Sequence, residues 1–243
     1  MIAKRAFLLL VTVCFTVNIY AVDTSNMREI YNNEILVYAE DCMDYTDFIA
    51  AILTSLGELE TIFQKKIRSI VSIYIYSSHT SSSLKIFGSE TDVIQTAMAD
   101  PVNLKIYLTS PYDTFKSKEY YYSVPIHELV HLFYSPADLW LREGIAVYLS
   151  GQLNNDISLE QINGYSYFYP IKMTNADFLQ YYNNFGWLVK YLMEEKLGNS
   201  IVRFREFCNS KSKAALLGYR TMDEFIIDWK RWIEKIRPTP ASS

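Results

Sequence analysis

Residues 125–133 read PIHELVHLF and contain the pattern HExxH. Apolar residues recur in this stretch at helical spacing, which predicts an amphipathic helix with Pro125 in its first turn. His127 and His131 are four residues apart, so they lie on one face of that helix, where both imidazoles can point at one metal ion. Glu128 lies beside them and can take a proton from an attacking water. The stretch therefore predicts a metal-binding helix around which the rest of the chain is organised.

Two histidines do not complete such a site, because a hydrolytic zinc centre has three protein ligands and one open position. The metzincin continuation of the motif would place glycine at position 134 and histidine at position 137, where this chain has Tyr134 and Ala137. That class is excluded, and the third ligand has to come from elsewhere. The competing interpretation is an ordinary amphipathic helix whose histidines bind nothing, since short motifs also occur by chance.

The next informative stretch is residues 140–149, which read WLREGIAVYL. Together with HExxH it resembles the WxxEGxAxY segment of gluzincin metallopeptidases, specifically the peptidase MA-like family, which is related to zinc aminopeptidases and thermolysin-type zincins. The resemblance implies a Zn2+ ion held by His127, His131 and Glu143. It also implies that Glu128 is the general base of peptide-bond hydrolysis.

The chain departs from this family in two respects. The gap between His131 and Glu143 is short, so the Ser-Pro pair that follows the first helix has to end it in a tight turn. Asp138, at the start of the second helix, is a rival third ligand or a hydrogen-bonding partner of a ligand. Some gluzincins carry an acidic residue four places after the ligand glutamate, but this chain has Val147 there. The group that orients a ligand histidine is therefore not identified from the sequence.

The expected fold class is α+β and zincin-like. A helix from Phe48 to Lys66, capped by Thr46 or Asp47, is predicted between the first two strands. In zincins the strand before the metal helix forms the sheet edge along the active-site cleft, so the resemblance places Val102–Thr109 at that edge. Alternating or clustered apolar side chains predict three strands in all: Glu34–Glu40, Ser69–Tyr76 and Val102–Thr109.

The resemblance divides the chain into two lobes with the cleft between them. Residues 22–150 form a small lobe of sheet and metal helix, and residues 151–243 form a mostly helical lobe. A helix from Ala176 to Glu195 is expected to stop at Gly198. Tyr182 of that helix corresponds to a family tyrosine, which implies a hydrogen bond to the oxyanion. The simpler alternative is a packing tyrosine, because the chain has twenty tyrosines and aromatic residues usually serve packing.

The N-terminal residues predict export. Residues 1–21 read as a secretory signal, in which two basic residues precede an apolar run. The mature chain, residues 22–243, is then a single domain that is secreted or periplasmic. An uncleaved N-terminal membrane anchor is the alternative, and no second hydrophobic span follows in the mature chain.

Composition narrows the range of partners. The 27 acidic residues outnumber the 23 basic ones, and no basic cluster suggests nucleic acid binding, so the expected partner is a peptide or protein substrate. An exported location permits a disulfide between Cys42 and Cys208, and two buried thiols are the equally weighted alternative. His79 lies in a polar loop and is expected to be solvated.

Three other functional interpretations are compatible with these residues. The first is a catalytically silent zincin-fold protein that binds zinc and serves recognition. The second is a zinc hydrolase that acts on non-peptide amides, and the third is a structural exported protein in which the motif is a coincidence. Bound zinc separates the third from the others, and cleavage of a peptide library separates the first two.

Overall fold

The computed structural model describes residues 23–78, 80–82, 97–110, 118–155, 157 and 175–236. The expected signal sequence, residues 1–21, and His79 lie outside these ranges. Over the described residues the chain is a mixture of strands and helices with one five-stranded sheet, which confirms the predicted α+β class.

The sheet combines a parallel centre with antiparallel outer pairs. Its strand order is β1-β2-β3-β5-β4. The pairs β2–β3 and β3–β5 are parallel, whereas β1–β2 and β4–β5 are antiparallel. Parallel neighbours cannot be joined by a tight turn, so each parallel pair requires a longer crossover connection. The strands are β1 (Arg28–Asn32), β2 (Ile35–Ala39), β3 (Val71–Tyr76), β4 (Ala97–Asp100) and β5 (Lys105–Thr109).

The strand that precedes the metal helix is not the sheet edge. β5 lies between β3 and β4, so the expectation that placed Val102–Thr109 at the edge is wrong. Among the described strands this edge is formed by β4, whose sequence AMAD is too short and too poor in β-branched residues to be recognised as a strand. A tight turn joins the two strands: the Asp100 side chain accepts the backbone N–H groups of Val102 and Asn103.

The two faces of the sheet differ in the side chains they present. On one face, stacked tyrosines run across three strands: the ring centroids of Tyr38 and Tyr74 are 5.2 Å apart, and those of Tyr74 and Tyr107 are 5.3 Å apart. The other face is covered by helices and buries aliphatic side chains with at most 1% of their surface exposed: Ile35, Val37, Ala39, Val71, Ile73, Ile75, Ile106 and Leu108.

The helices on the aliphatic face carry the candidate site. α1 connects β2 to β3 and contacts α2, where Phe63 stacks on Phe133 with ring centroids 5.4 Å apart. α3 lies against α2 and also makes an extensive contact with α4. The helix bounds are α1 (Thr46–Phe63), α2 (Lys118–Phe133), α3 (Leu139–Ser150), α4 (Asn175–Tyr191, continued by a π-helical turn, Leu192–Lys196), α5 (Ile201–Asn209), α6 (Lys213–Leu216) and α7 (Met222–Ile236).

Two predicted helix starts are wrong. α1 is not capped by Thr46 or Asp47, because Asp44 accepts hydrogen bonds from the backbone N–H and the hydroxyl of Thr46. Pro125 does not lie in the first turn of α2, since the helix begins at Lys118. Packing upstream of the proline extends the helix: the ring of Tyr122 lies 6.3 Å from that of Phe48 in α1. Pro125 is therefore an internal residue of α2, which lacks the one backbone hydrogen bond that proline cannot donate.

The contact between α3 and α4 depends on two glycines. A β-carbon at Gly144 of α3 would lie 2.5 Å from Val189 Cγ2 and 2.6 Å from the Phe185 carbonyl oxygen of α4. A β-carbon at Gly186 of α4 would in turn overlap the Val147 side chain of α3. The two helices therefore approach more closely than side chains at these positions would allow.

The structure bears on two further expectations. Cys42 and Cys208 are free thiols, the former exposed and the latter partly buried, and they form no disulfide. Among the residues that the structure describes, no helix combines the length and the apolar character needed to cross a membrane.

We expect Gly144→Ala to destabilise the protein by about 1–3 kcal/mol, because overpacking a tight helix contact has a cost of that size. The matched control is Gly57→Ala in α1, where an added β-carbon meets nothing within 4 Å. That control should stabilise by about 0.5–1 kcal/mol, since glycine is the weaker helix former. Urea unfolding of the two variants tests this, and equal stabilities would contradict the close approach of α3 and α4.

Candidate metal centre

The structure brings His127, His131 and Glu143 together. The two histidines come from one face of α2, and Glu143 comes from the second turn of α3. One ligand atom from each residue lies within 4.8 Å of the other two. The three residues are almost fully buried, with exposures of 6%, 9% and 6%. This group could hold a metal ion.

The distances inside the group suit a metal ion as well as long hydrogen bonds. Glu143 Oε2 is 3.3 Å from His127 Nε2 and 3.4 Å from His131 Nε2. Hydrogen bonds between charged nitrogen and oxygen atoms are usually about 2.7–2.9 Å long. Two tetrahedral ligands bonded to zinc at about 2.0–2.1 Å are separated by about 3.3–3.4 Å. The separations between Glu143 and each histidine therefore match those of a tetrahedral centre, and all three donor atoms lie within 4.8 Å of one another.

A tight turn between α2 and α3 makes this spacing possible. Asp138 is extended and its carbonyl accepts the backbone N–H groups of Leu141 and Arg142, so α3 begins immediately after it. The carboxylate of Asp138 points away from the histidines and lies 3.0 Å from Lys213 Nζ. Asp138 is thus an ion-pair partner in this structure, and Glu143 is the acidic residue that lies beside the histidines.

Glu143 is held as a carboxylate. Burial opposes its ionisation, but hydrogen bonds with His127 and His131 outweigh burial and keep the pKa of Glu143 well below its usual value. Its second oxygen, Oε1, accepts a hydrogen bond from Arg142 Nε at 3.0 Å. The carboxylate is therefore oriented from both sides, with Oε2 directed at the histidines.

Glu128 has a different environment although it lies next to the three candidate ligands. Burial raises the pKa of Glu128 to about 7; the imidazole of His127 opposes this rise, and the carboxylate of Glu143 adds to it. The Glu128 carboxyl also accepts a hydrogen bond from the backbone N–H of Ala99 in the edge strand β4. A carboxyl with a pKa near neutrality can take up and release a proton at physiological pH.

Tyr182 of α4 lies at the same site. Its ring is nearly parallel to the imidazole of His127, with 6.1 Å between ring centroids. Burial, followed by the negative charges of Glu143 and Glu128, raises the pKa of Tyr182 well above its usual value, and its hydroxyl donates a hydrogen bond to Glu143. The phenol therefore keeps its proton and acts as a hydrogen-bond donor.

Two residues of the site were not found from the sequence. Gln152 Oε1 lies 2.9 Å from His127 Nδ1, and Arg142 pairs with Glu143. Arg142 lies inside the segment that resembles the gluzincins and is adjacent to Glu143, so the sequence could have indicated that it belongs to the site. Gln152 follows the end of α3 and reaches His127 only because of the local turn, which leaves no pattern in the sequence. His131 Nδ1 is buried without a hydrogen-bond partner among the residues described.

Comparison with known proteins adds no further constraint. The sequence matches no protein-family model, and a search of curated proteins finds no match.

We expect Glu143→Ala to lose a bound divalent metal, whereas Asp138→Ala should retain it. The reason is position: Glu143 lies between the histidines, and Asp138 pairs with Lys213. Both purified variants are reconstituted with zinc and passed through gel filtration, and elemental analysis then measures their metal content. The result shows which of the two carboxylates is the third ligand. Metal lost from Asp138→Ala and kept by Glu143→Ala would reverse the assignment of the third ligand.

Glu128→Gln should stabilise the metal-free protein increasingly as the pH rises. The pKa of Glu128 is about 7 in the folded protein against 4.5 for an unperturbed carboxyl. Between these two pKa values the folded state keeps a proton that the unfolded chain releases. The stability of the folded protein with Glu128 protonated is therefore fully present below about pH 4.5, and it is lost as the pH rises through 7. Glutamine does not titrate, and its advantage should reach the order of 3 kcal/mol above pH 7.

Urea unfolding in a chelator at pH 5 and pH 8 measures this difference. Glu58→Gln, on the exposed side of α1, is the control for replacing a glutamate elsewhere. An advantage of Glu128→Gln that is the same at both pH values would show that the carboxyl of Glu128 is not perturbed.

Proposed function

We propose that the chain is an exported zinc-dependent metallopeptidase with a zincin-like, gluzincin-type active site. The observation that carries the proposal is the spacing of Glu143 Oε2, 3.3 and 3.4 Å from the Nε2 atoms of His127 and His131. A buried, readily protonated carboxyl, that of Glu128, lies beside this donor set. Histidine, histidine and glutamate are the ligands of hydrolytic zinc sites, which keep one position open.

The three ligands would hold Zn2+ through two imidazole nitrogens and one carboxylate oxygen. Zinc in such a site supplies Lewis acidity, polarising a carbonyl group and making a water molecule more acidic. Arg142 fixes the carboxylate of Glu143 through Oε1 and leaves Oε2 directed at the histidines. The low exposure of all three ligands keeps bulk water away from the reacting groups.

Glu128 is the proposed general base. Its carboxylate takes a proton from the attacking water and then delivers it to the leaving amine. The backbone N–H of Ala99 holds the carboxyl, which ties the base to the edge strand β4. A pKa near neutrality suits both halves of this transfer, because the group can accept a proton without retaining it.

The position of β4 suggests how a peptide substrate would bind. β4 pairs only with β5 among the described strands, so its other edge can align an extended peptide by backbone hydrogen bonds. Ala99 places this edge next to Glu128. We infer that the substrate lies in a cleft between the lobe of sheet and α2 and the helical lobe that contains α4.

Tyr182 is the proposed donor to the carbonyl oxygen of the substrate. Its hydroxyl keeps its proton and lies against Glu143, so a small movement of the side chain would direct it at a substrate oxygen beside the ligands. A donor positioned in this way stabilises the negative charge that develops on that oxygen.

Assays of Glu128→Gln and His127→Ala with a fluorogenic peptide library test the proposal. Glu128→Gln should keep about one zinc per chain and lose activity by roughly 10²–10⁴-fold, the usual contribution of a general base. His127→Ala should lose both zinc and activity. Tyr182→Phe should retain zinc and lower kcat more than it changes KM, because a transition-state contact is removed.

The outcomes separate the alternatives. Full activity of Glu128→Gln would eliminate the mechanism. A wild-type protein that binds zinc and a hydroxamate probe but cleaves no peptide would favour the catalytically silent zinc-binding protein. A wild-type protein that binds no zinc after reconstitution would leave an ordinary helix with two histidines.

A further inference from the structure

The second ring nitrogen of His127 has a specific partner. His127 Nδ1 lies 2.9 Å from Gln152 Oε1, and an amide oxygen can only accept a hydrogen bond. Nδ1 therefore carries a proton and donates it to Gln152. Nε2 is left to contact Glu143 in the metal-free protein and to offer its lone pair to a metal when one binds. Gln152 thus fixes both the tautomer and the orientation of one ligand.

The turn at the end of α3 brings Gln152 to this position. Gly151 adopts a left-handed conformation with a φ of 73°, which glycine accepts without strain. The N–H groups of Gly151 and Gln152 both donate to the carbonyl oxygen of Val147. The chain therefore reverses direction immediately after the helix and returns Gln152 towards α2.

The residues after Gln152 are anchored on α4. Leu153 lies against Gly186, where a β-carbon would approach its Cδ2 to 2.7 Å. The Asn154 backbone N–H donates to the Asn183 side chain at 3.0 Å, and the Asn154 carbonyl accepts from Trp187 Nε1 at 2.7 Å. The short segment from Gly151 to Asn154, here called the strap, is thus held between α2 and α4, and Gln152 has little freedom to leave His127.

Position 147 cannot supply this partner. Val147 is 2% exposed, and its side chain fills the space beside Gly186 of α4. An acidic side chain there would be buried against the helix contact rather than directed at a histidine. The chain uses this position for packing, and the hydrogen bond to His127 comes from the strap instead.

We propose that Gln152 is the positioning residue of this metal centre, holding His127 in the ligating tautomer and orientation through a neutral amide. The inference rests on the metal site of the proposed function. A carboxylate partner would draw the Nδ1 proton more strongly and make the imidazole a stronger donor. With an amide in that place, the centre holds its metal less tightly than one with a carboxylate partner, and the metal keeps more of its Lewis acidity.

The test compares three variants of the full mature chain by zinc competition with a chromophoric chelator. Gln152→Leu removes the acceptor at similar volume and should weaken zinc affinity by about 10–100-fold, the usual effect of losing such a partner. Gln152→Glu restores an acceptor and adds a charge, so it should bind zinc at least as tightly as wild type. Asn154→Ala is the matched control in the same strap, and it should bind zinc within about twofold of wild type because it does not touch His127.

Cobalt provides a readout that a purely structural role would not change. The visible spectrum of the Co2+ form reports the ligand field, so it should change in Gln152→Leu and remain close to that of wild type in Asn154→Ala. Urea unfolding of the metal-free variants shows whether any loss of affinity follows a loss of fold. Comparable stability of Gln152→Leu and Asn154→Ala, combined with different zinc affinities, supports the proposal.

Two results would overturn it. Gln152→Leu with the zinc affinity and cobalt spectrum of wild type would show that the amide does not position His127. Equal losses of affinity in Gln152→Leu and Asn154→Ala would show that the strap matters only as packing. If wild type binds zinc through Glu143 but Gln152 has no effect, this inference alone fails. If wild type binds no zinc, the proposed function fails with it.

Discussion

The carboxylate of Glu143 has to remain ionised where only 6% of the residue is exposed, and much of the structure serves this requirement. An unpaired buried charge is strongly destabilising, so partners must be brought to it. They come from three helices: His127 and His131 from α2, Arg142 from α3 itself, and Tyr182 from α4. Because no single helix supplies them all, α2, α3 and α4 have to converge on one point.

Helix packing achieves this convergence in two steps. Trp140 and Ile145, both fully buried, anchor α3 in the core. Gly144 and Gly186 then let α4 approach α3 closely. At this distance Tyr182 reaches Glu143, and Asn154 of the strap forms a hydrogen bond with Asn183 of α4. The glycine that follows Glu143 is therefore explained by packing. Substrate chemistry is not needed to account for it.

Prediction from sequence succeeded where the controlling interaction is local. Strand β3 and the helix that carries His127 and His131 each follow from a periodicity within that element. The α+β class follows from the mixture of such elements along the chain. The predictions failed where a neighbouring element decides the outcome. α2 begins at Lys118, upstream of Pro125, in a segment where Tyr122 packs against Phe48 of α1. β5 was predicted to lie at the sheet edge, but it pairs with the short strand β4 and therefore lies inside the sheet.

The same distinction applies to the site. Glu143 was identified through a resemblance in a contiguous segment, but Gln152 depends on a left-handed turn at Gly151 and on the anchoring of the strap to α4. Neither interaction has a fixed spacing in sequence. The side chains that adjust a metal centre are in general found by geometry, because any polar residue at the right distance can orient a ligand histidine.

Two glutamates separated by fifteen positions end with opposite properties, and their surroundings account for the difference. Glu143 receives hydrogen bonds from both imidazoles, and its pKa is held well below the usual value despite burial. For Glu128, burial and the charge of Glu143 outweigh the imidazole of His127 and the backbone N–H of Ala99, and its pKa rises to about 7. Environments that move the pKa values of two carboxyl groups apart in this way suit one to remain charged and the other to carry a proton. The proposed division between ligand and base therefore follows from where the hydrogen-bond donors are placed, since the two side chains are chemically identical.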